Sequence, residues 1–177
     1  MKKNIFILPI IIFTSILLVF FYLLTIERNP SEIPSALINK EAPNFQTKSL
    51  FKEELFVSSH EFENQIVIVN FFATWCKPCR KEHKFIKKLS KTKKAKIIGI
   101  NYKDNEEKTI RWLEELGNPY SFVAIDKKGK IGIDWGVYGI PETFIIDPKG
   151  IIKYRHVGPV NKLIFKKIIN AINEIEE

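Results

Sequence analysis

The segment from residue 66 to residue 90 constrains the fold more than any other. Ile66-Val67-Ile68-Val69-Asn70-Phe71-Phe72 is a nearly unbroken run of β-branched and aromatic residues. A strand with one wet face would alternate, so this run predicts a central strand covered on both faces. Trp75-Cys76-Lys77-Pro78-Cys79-Arg80 follows closely. From Cys79 to about Ser90 the pattern turns helical. Phe85, Ile86 and Leu89 form its apolar stripe, and Arg80, Lys81, Lys84, Lys87 and Lys88 face water.

Two cysteines in a strand-to-helix turn point to thiol chemistry. The first N–H groups of a helix have no partner within it and attract negative charge. They favour a thiolate at Cys76, and Lys77 adds positive charge nearby. Pro78 suits an early helical position, where a missing N–H costs little. With two residues between them, the second sulfur comes within reach of the first. Cys76 is therefore the expected exposed nucleophile and Cys79 the resolving thiol. This chemistry runs in either direction, reducing or oxidising a partner. A purely structural bridge is the weaker reading, because so small a loop stabilises little through chain entropy. So is half a metal site, since His60, His83 and His156 lack ligand spacing to the cysteines. His83 reads as a partly solvated helix residue.

The rest of the globular part alternates strands and helices. Residues 44–65 suggest a short hairpin, with Phe45, Leu50, Leu55 and Phe56 as candidate core residues. Ala95–Asn101 reads as a second buried strand. Glu106–Leu116 reads as a helix capped by Asn105, with Ile110, Leu113 and Leu116 inward, stopped at Gly117 and Asn118-Pro119. Phe122–Ile125 is a short strand before the turn Asp126–Gly129. Two further strands, Thr143–Ile146 and Ile151–Arg155, flank Asp147-Pro148-Lys149-Gly150 as a hairpin. Leu163, Ile164, Ile168, Ile169, Ile172 and Ile175 follow a helical period to the end. The order predicts an α/β fold, a mixed central sheet with helices on both faces. Gly139-Ile140-Pro141-Glu142-Thr143 enters a strand where proline cannot sit centrally. It reads as a kinked entrance, with a cis or a trans peptide both open.

Residues 5–26 contain no charge. About 20 apolar residues cross a hydrocarbon layer of roughly 30 Å. The run exceeds the apolar core of a cleaved signal, and bulky Phe20-Phe21-Tyr22-Leu23-Leu24 offers no small-residue cleavage site. One transmembrane helix is expected. Lys2 and Lys3 favour a cytoplasmic N-terminus. The divisions expected are a cytoplasmic head at 1–4, an anchor at 5–26, a tether at 27–43 and a globular domain at 44–177 across the membrane. Thiol oxidation is normal in that compartment.

The net charge of +8 invites a nucleic-acid reading. Lysine, however, outnumbers arginine 24 to 4, and isoleucine occurs 29 times, which indicates a global Lys and Ile preference. The densest basic runs, at 84–88 and 91–94, lie on the wet side and exit of one helix. No nucleic-acid partner is expected.

Four stretches together carry a family resemblance: Asn70–His83 around the cysteines, Gly99–Asp104, Trp112–Tyr120 and Gly136–Phe144. On these the chain resembles the thioredoxin superfamily over essentially its whole length. It is most similar to the membrane-anchored thiol:disulfide interchange proteins of cytochrome c biogenesis, the CcmG/DsbE branch. The resemblance implies a thioredoxin-like fold, no cofactor and no metal, with Pro141 at the cis-proline position. It implies Cys76, Cys79, Glu82, Pro141 and Glu142 as the catalytic set. Glu82 and Glu142 would give the site an acidic character, tuning the second thiol and carrying its proton. From its residue alone, Glu82 reads equally as a first-turn surface carboxylate favourable with the helix dipole. Asn70 stands where thioredoxins carry a buried aspartate. Trp75, Lys77, Pro78, Tyr138 and Ile140 would surround the sulfurs and meet the substrate; Lys77 departs from relatives with proline there. The implied role is reduction of the haem-attachment cysteines of apocytochrome c, directly or through a maturation thiol partner. Electrons would come from a membrane thiol carrier, and the implied place is the periplasmic side of a bacterial inner membrane. The chain has no CxxCH of its own, so it does not itself carry c-type haem. A general extracytoplasmic reductase and a noncatalytic binding module on the same fold are the alternatives.

Overall fold

The computed structural model describes residues 7–25, 36–51 and 56–177, apart from the side chains of His60 and Glu61. The head at 1–4, the outermost residues of the anchor, the tether at 27–35 and Leu55 lie outside the described residues. Two units are present, Met1–Glu32 and Ile33–Glu177.

In the first unit, α1 spans Ile7–Thr25. It is long and apolar enough to cross a membrane, and none of its residues is buried by protein. A helix satisfies its own backbone, which hydrocarbon requires. Two of its hydroxyls do likewise: Thr14 donates to the Ile10 carbonyl at 2.9 Å and Thr25 to that of Tyr22 at 2.7 Å.

The second unit is a five-stranded mixed sheet in the order β5-β4-β3-β6-β7. Its strands are β3 (Val67–Phe72), β4 (Lys96–Tyr102), β5 (Phe122–Asp126), β6 (Glu142–Ile146) and β7 (Ile152–Val157). β3, β4 and β5 run parallel, and β6 and β7 antiparallel to their neighbours. Every residue of β3 is buried, as its continuous apolar run predicts. The helices are α2 (Lys77–Thr92), α3 (Glu106–Leu116), α4 (Lys130–Asp134) and α5 (Lys162–Glu176). One face of the sheet, with Ile68 and Phe72, packs against Ile86 and Leu89 of α2, Leu113 of α3, and Ile168 and Ile172 of α5. The other, with Val67, Val69 and Phe71, packs against Ile131 of α4, Trp135 and the hairpin residue Val57.

Several expectations are corrected. The helix after the cysteines starts at Lys77 rather than Cys79. α4 is an additional helix, only five residues long and thus too short to show a period. The early hairpin is real, pairing β1 (Gln46–Lys48) with β2 (Phe56–Ser58), but Phe56 points to solvent and its neighbour Val57 fills the core. Strand alternation makes that choice, and one residue of register decides it. Leu163 is exposed. Residues 36–42, expected in the tether, belong to the fold. Asn39 N–H donates to the Ile152 carbonyl at 2.8 Å, Ala42 N–H donates to that of Gly150 at 2.9 Å, and Ala42 is buried.

Candidate active site

Cys76 caps α2. Its backbone is extended (φ −86°, ψ 103°), and the N–H of Cys79 donates to its sulfur at 3.1 Å. The free N–H groups of the helix start are thus aimed at the first sulfur. Cys76 and Cys79 are joined as a disulfide, with Cα atoms 5.3 Å apart. Contrary to the exposed nucleophile expected, Cys76 shows only 4% of its surface, and Cys79 1%. The bridge itself covers one side of the Cys76 sulfur, and the Ile140 carbonyl oxygen lies 3.6 Å away on another. Trp75, Lys77, Pro78 and Tyr138 are all exposed. The peptide between Ile140 and Pro141 is cis.

The turn before Cys76 is held from one side. Asp104 accepts from the Thr74 N–H at 2.5 Å and from its hydroxyl at 2.9 Å. The Trp75 indole N–H donates to the Lys103 carbonyl at 3.1 Å. Asn101 and Thr109 also donate to Asp104, each at 3.2 Å. A carboxylate with so many donors fixes the Thr74–Trp75 backbone and so aims the first sulfur.

Beneath the pair lies Glu82, one turn past Cys79 on the same buried face of α2. It is fully buried, which excludes the surface reading. Asn70 donates to Oε1 at 2.9 Å, and the Val160 N–H donates to Oε2 at 2.8 Å. Asn70 in turn accepts from the Tyr120 hydroxyl at 2.8 Å and donates to Thr143 Oγ1 at 3.2 Å. No cation is among these partners. Burial pushes the Glu82 carboxyl up to about 7, and the two donors only partly oppose it. Tyr120 reaches Asn70 because Gly99 leaves room: a Cβ there would lie 2.8 Å from the Phe72 ring and 3.0 Å from that of Tyr120. Those two rings stack at 4.8 Å.

His83 is also buried, against the partly solvated position expected. Its ring meets Trp112 edge-on at 4.5 Å, and Nε2 lies 2.8 Å from the Gly117 carbonyl oxygen. Burial lowers its pKa, only partly offset by the Gly117 carbonyl, so the neutral imidazole is favoured.

Glu142 stands apart from Glu82. It pairs with Phe71, whereas the next residue, Thr143, pairs with Asn70. Successive side chains alternate across a strand, so Glu142 belongs to the face opposite the Glu82 network. There it is fully buried and forms an ion pair with Arg155. Burial raises its carboxyl to about 7, with Arg155 pulling the other way.

The family model described as Redoxin matches residues 37–172. The chain is 39% identical over 178 residues to the thiol:disulfide interchange protein DsbE of Escherichia coli strain K12, covering 98% of this chain and 96% of that protein. It is 41% identical over 178 residues to the DsbE of Tatumella citrea, covering 97% and 95%. This chain belongs to the DsbE family of thiol:disulfide interchange proteins. A crystal structure of a thioredoxin family thiol:disulfide interchange protein from Chlorobium tepidum superposes with a TM-score of 0.63 at 27% identity, covering 79% of this chain and 99% of that one. The fold is thioredoxin-like, and the close Cys76–Cys79 pair is the redox centre of a DsbE-type protein-disulfide reductase.

Of the expected residues, Cys76 and Cys79 are bridged, the Ile140 carbonyl reaches the Cys76 sulfur, Pro141 follows it through the cis peptide, Trp75, Lys77 and Pro78 flank the cysteines along the chain, Glu82 lies one turn past Cys79, and Tyr138 is exposed against Arg155. The Glu142 carboxylate lies on the far face. Sequence reasoning missed Asp104, Tyr120, Thr143, Val160 and Arg155. Asp104 and Tyr120 close two of the stretches that carry the family resemblance. Arg155 had a signal of its own, being one of four arginines in a chain with 24 lysines.

Proposed function

We propose that the chain is a reductant anchored by α1 in a bacterial inner membrane, with its thioredoxin-like domain in the periplasm. Its client is the disulfide formed by the haem-attachment cysteines of apocytochrome c, met directly or through a maturation thiol partner. A membrane thiol carrier returns it to the reduced state. The observation that carries the reading is the Cys76 sulfur at the helix start, with Glu82 buried one turn beyond Cys79. The kinship with DsbE proteins and the four motif stretches support it.

In the reduced chain the Cys76 thiolate attacks one sulfur of the client disulfide. The S–S bond breaks, and the other client sulfur leaves as a thiolate and takes a proton. Cys79 then loses its proton to Glu82, the nearest buried base along α2, and attacks the Cys76 sulfur. The client departs as a dithiol, having gained two electrons, and the chain is left with the Cys76–Cys79 disulfide. A base with an affinity for protons near pH 7 is matched to this task. Trp75, Lys77, Pro78, Tyr138 and Ile140 form the surface that meets the client. In this reading Glu142 shapes that surface from behind.

Trapping tests the client. Cys79→Ser removes the resolving thiol and leaves Cys76 holding its client as a mixed disulfide. Expressed as the full chain in membranes, this variant is expected to retain an apocytochrome or its thiol partner, released by dithiothreitol. Retention of unrelated periplasmic proteins would favour a general reductase. No mixed disulfide at all would favour a noncatalytic binding module.

A further inference from the structure

We propose that Arg155 is a positioning residue for the client-binding loop Gly136–Ile140, and that Glu142 acts on catalysis only by holding Arg155 in place. Arg155 lies on β7, opposite Phe144. Its guanidinium makes three kinds of contact at once. It pairs with Glu142, donates through Nη2 to the Gly136 carbonyl at 2.8 Å, and lies over the rings of Tyr138 at 5.6 Å and Phe144 at 5.4 Å. Only a planar fork can bond a carboxylate and a carbonyl while presenting its face to aromatic rings. A lysine, this chain's usual cation, would serve one of these partners.

The loop needs such a hold. Its first half is tied to α4: the Gly136 N–H reaches the Ile133 carbonyl at 2.9 Å and the Val137 N–H that of Gly132 at 2.8 Å. Its second half, Tyr138–Ile140, donates no backbone hydrogen bond among the described residues. This half carries exposed Tyr138 and the Ile140 carbonyl beside the Cys76 sulfur. Arg155 holds the first half through the Gly136 carbonyl and meets the second through the Tyr138 ring. Glu142 is fully buried, with one oxygen on Arg155 and, among the described residues, no hydrogen-bond partner for Oε2. Among the described residues it shares no hydrogen bond with the Asn70–Glu82 network, and its one side-chain partner is Arg155.

The inference rests on disulfide exchange and not on which client is used. The test is single-turnover reduction of a peptide carrying a Cys-x-x-Cys disulfide by the pre-reduced, detergent-solubilised full chain. Each turnover converts one peptide disulfide to a dithiol and the Cys76–Cys79 dithiol to a disulfide. If the loop holds its binding conformation only a tenth of the time without its clamp, apparent affinity falls about tenfold. Arg155→Met is therefore expected to raise the half-saturating peptide concentration about tenfold, with the limiting rate within about twofold. Arg155→Lys is expected to recover part of the loss. Backbone amide order parameters at Gly139 and Ile140 should fall in Arg155→Met. Should the lone buried Glu142 prevent that variant from folding, Arg155→Met with Glu142→Gln removes the unpaired charge and should show the same rise. An unchanged half-saturating concentration, or a slower limiting rate at unchanged half-saturation, would overturn the proposal. A failed trapping experiment with the Cys79→Ser chain would bear on the client alone.

Discussion

Glu82 and Glu142 are both fully buried, and burial raises both to about 7, yet they lie on opposite faces of one sheet and are held by different partners. Glu82 is held by two neutral donors, Asn70 and the Val160 N–H. Glu142 is held by a cation, Arg155. A buried carboxyl among neutral donors can gain or lose a proton without breaking an ion pair. One paired with a guanidinium gives up an ion pair when it takes up a proton. An acidic character at a site is thus not one property. One carboxyl here has only neutral hydrogen-bond partners, and the other is paired with a cation.

The largest expected effect is on stability against pH. Glu82 has a folded value of about 7 against 4.5 for an ordinary glutamate, so folding takes up a proton between these limits. Its stabilising share is complete below pH 4.5, shrinks as the pH rises, and is gone above 7. The full swing is about 3 kcal/mol. Glu82→Gln, which cannot titrate, is expected to remove this share from denaturation midpoints measured between pH 4.5 and 8. A variant as pH-dependent as the parent would place the buried proton elsewhere.

The next effect separates the two carboxyls directly. In a preformed mixed disulfide between Cys76 and a peptide thiol, release by Cys79 needs a base. Glu82→Gln should slow that release about a hundredfold at pH 7 and abolish its rise through that pH. Glu142→Gln should leave the shape of the pH profile intact. Equal profiles in both variants would erase the distinction between the two faces. A smaller effect probes the support for Glu82. Thr143→Val removes one partner of Asn70 and should cost about 1 kcal/mol of stability, read from denaturation midpoints.

Which parts of this arrangement the sequence discloses follows from how locally each is determined. β3 is legible because a strand buried on both faces needs an unbroken apolar run. The Asn105 cap of α3 is legible because caps require particular residues at particular positions. The cap is seen directly, with Asn105 accepting from the Lys108 N–H at 2.9 Å. The burial of Glu82 is not legible from its own helix. It sits among Arg80, Lys81 and His83, and only Asn70 and Val160, 12 and 78 residues away, make a buried carboxyl tolerable there. α4 is too short to display a period. The family resemblance implies Glu142 beside the sulfurs, but along a strand successive residues point to opposite faces, and Glu142 pairs with Phe71 on the face away from Asn70. The packed stretch 36–42 went unnoticed because it pairs through its backbone, which leaves little side-chain pattern.

The account rests on an activated sulfur at the head of α2. Its most direct test is the rate at which iodoacetamide alkylates Cys76 in the reduced full chain at pH 7, with Cys79→Ser used to isolate the site. A thiol held as its thiolate by the helix start should react at least about tenfold faster than a free cysteine. A rate no greater than that of free cysteine would contradict the mechanism at its root.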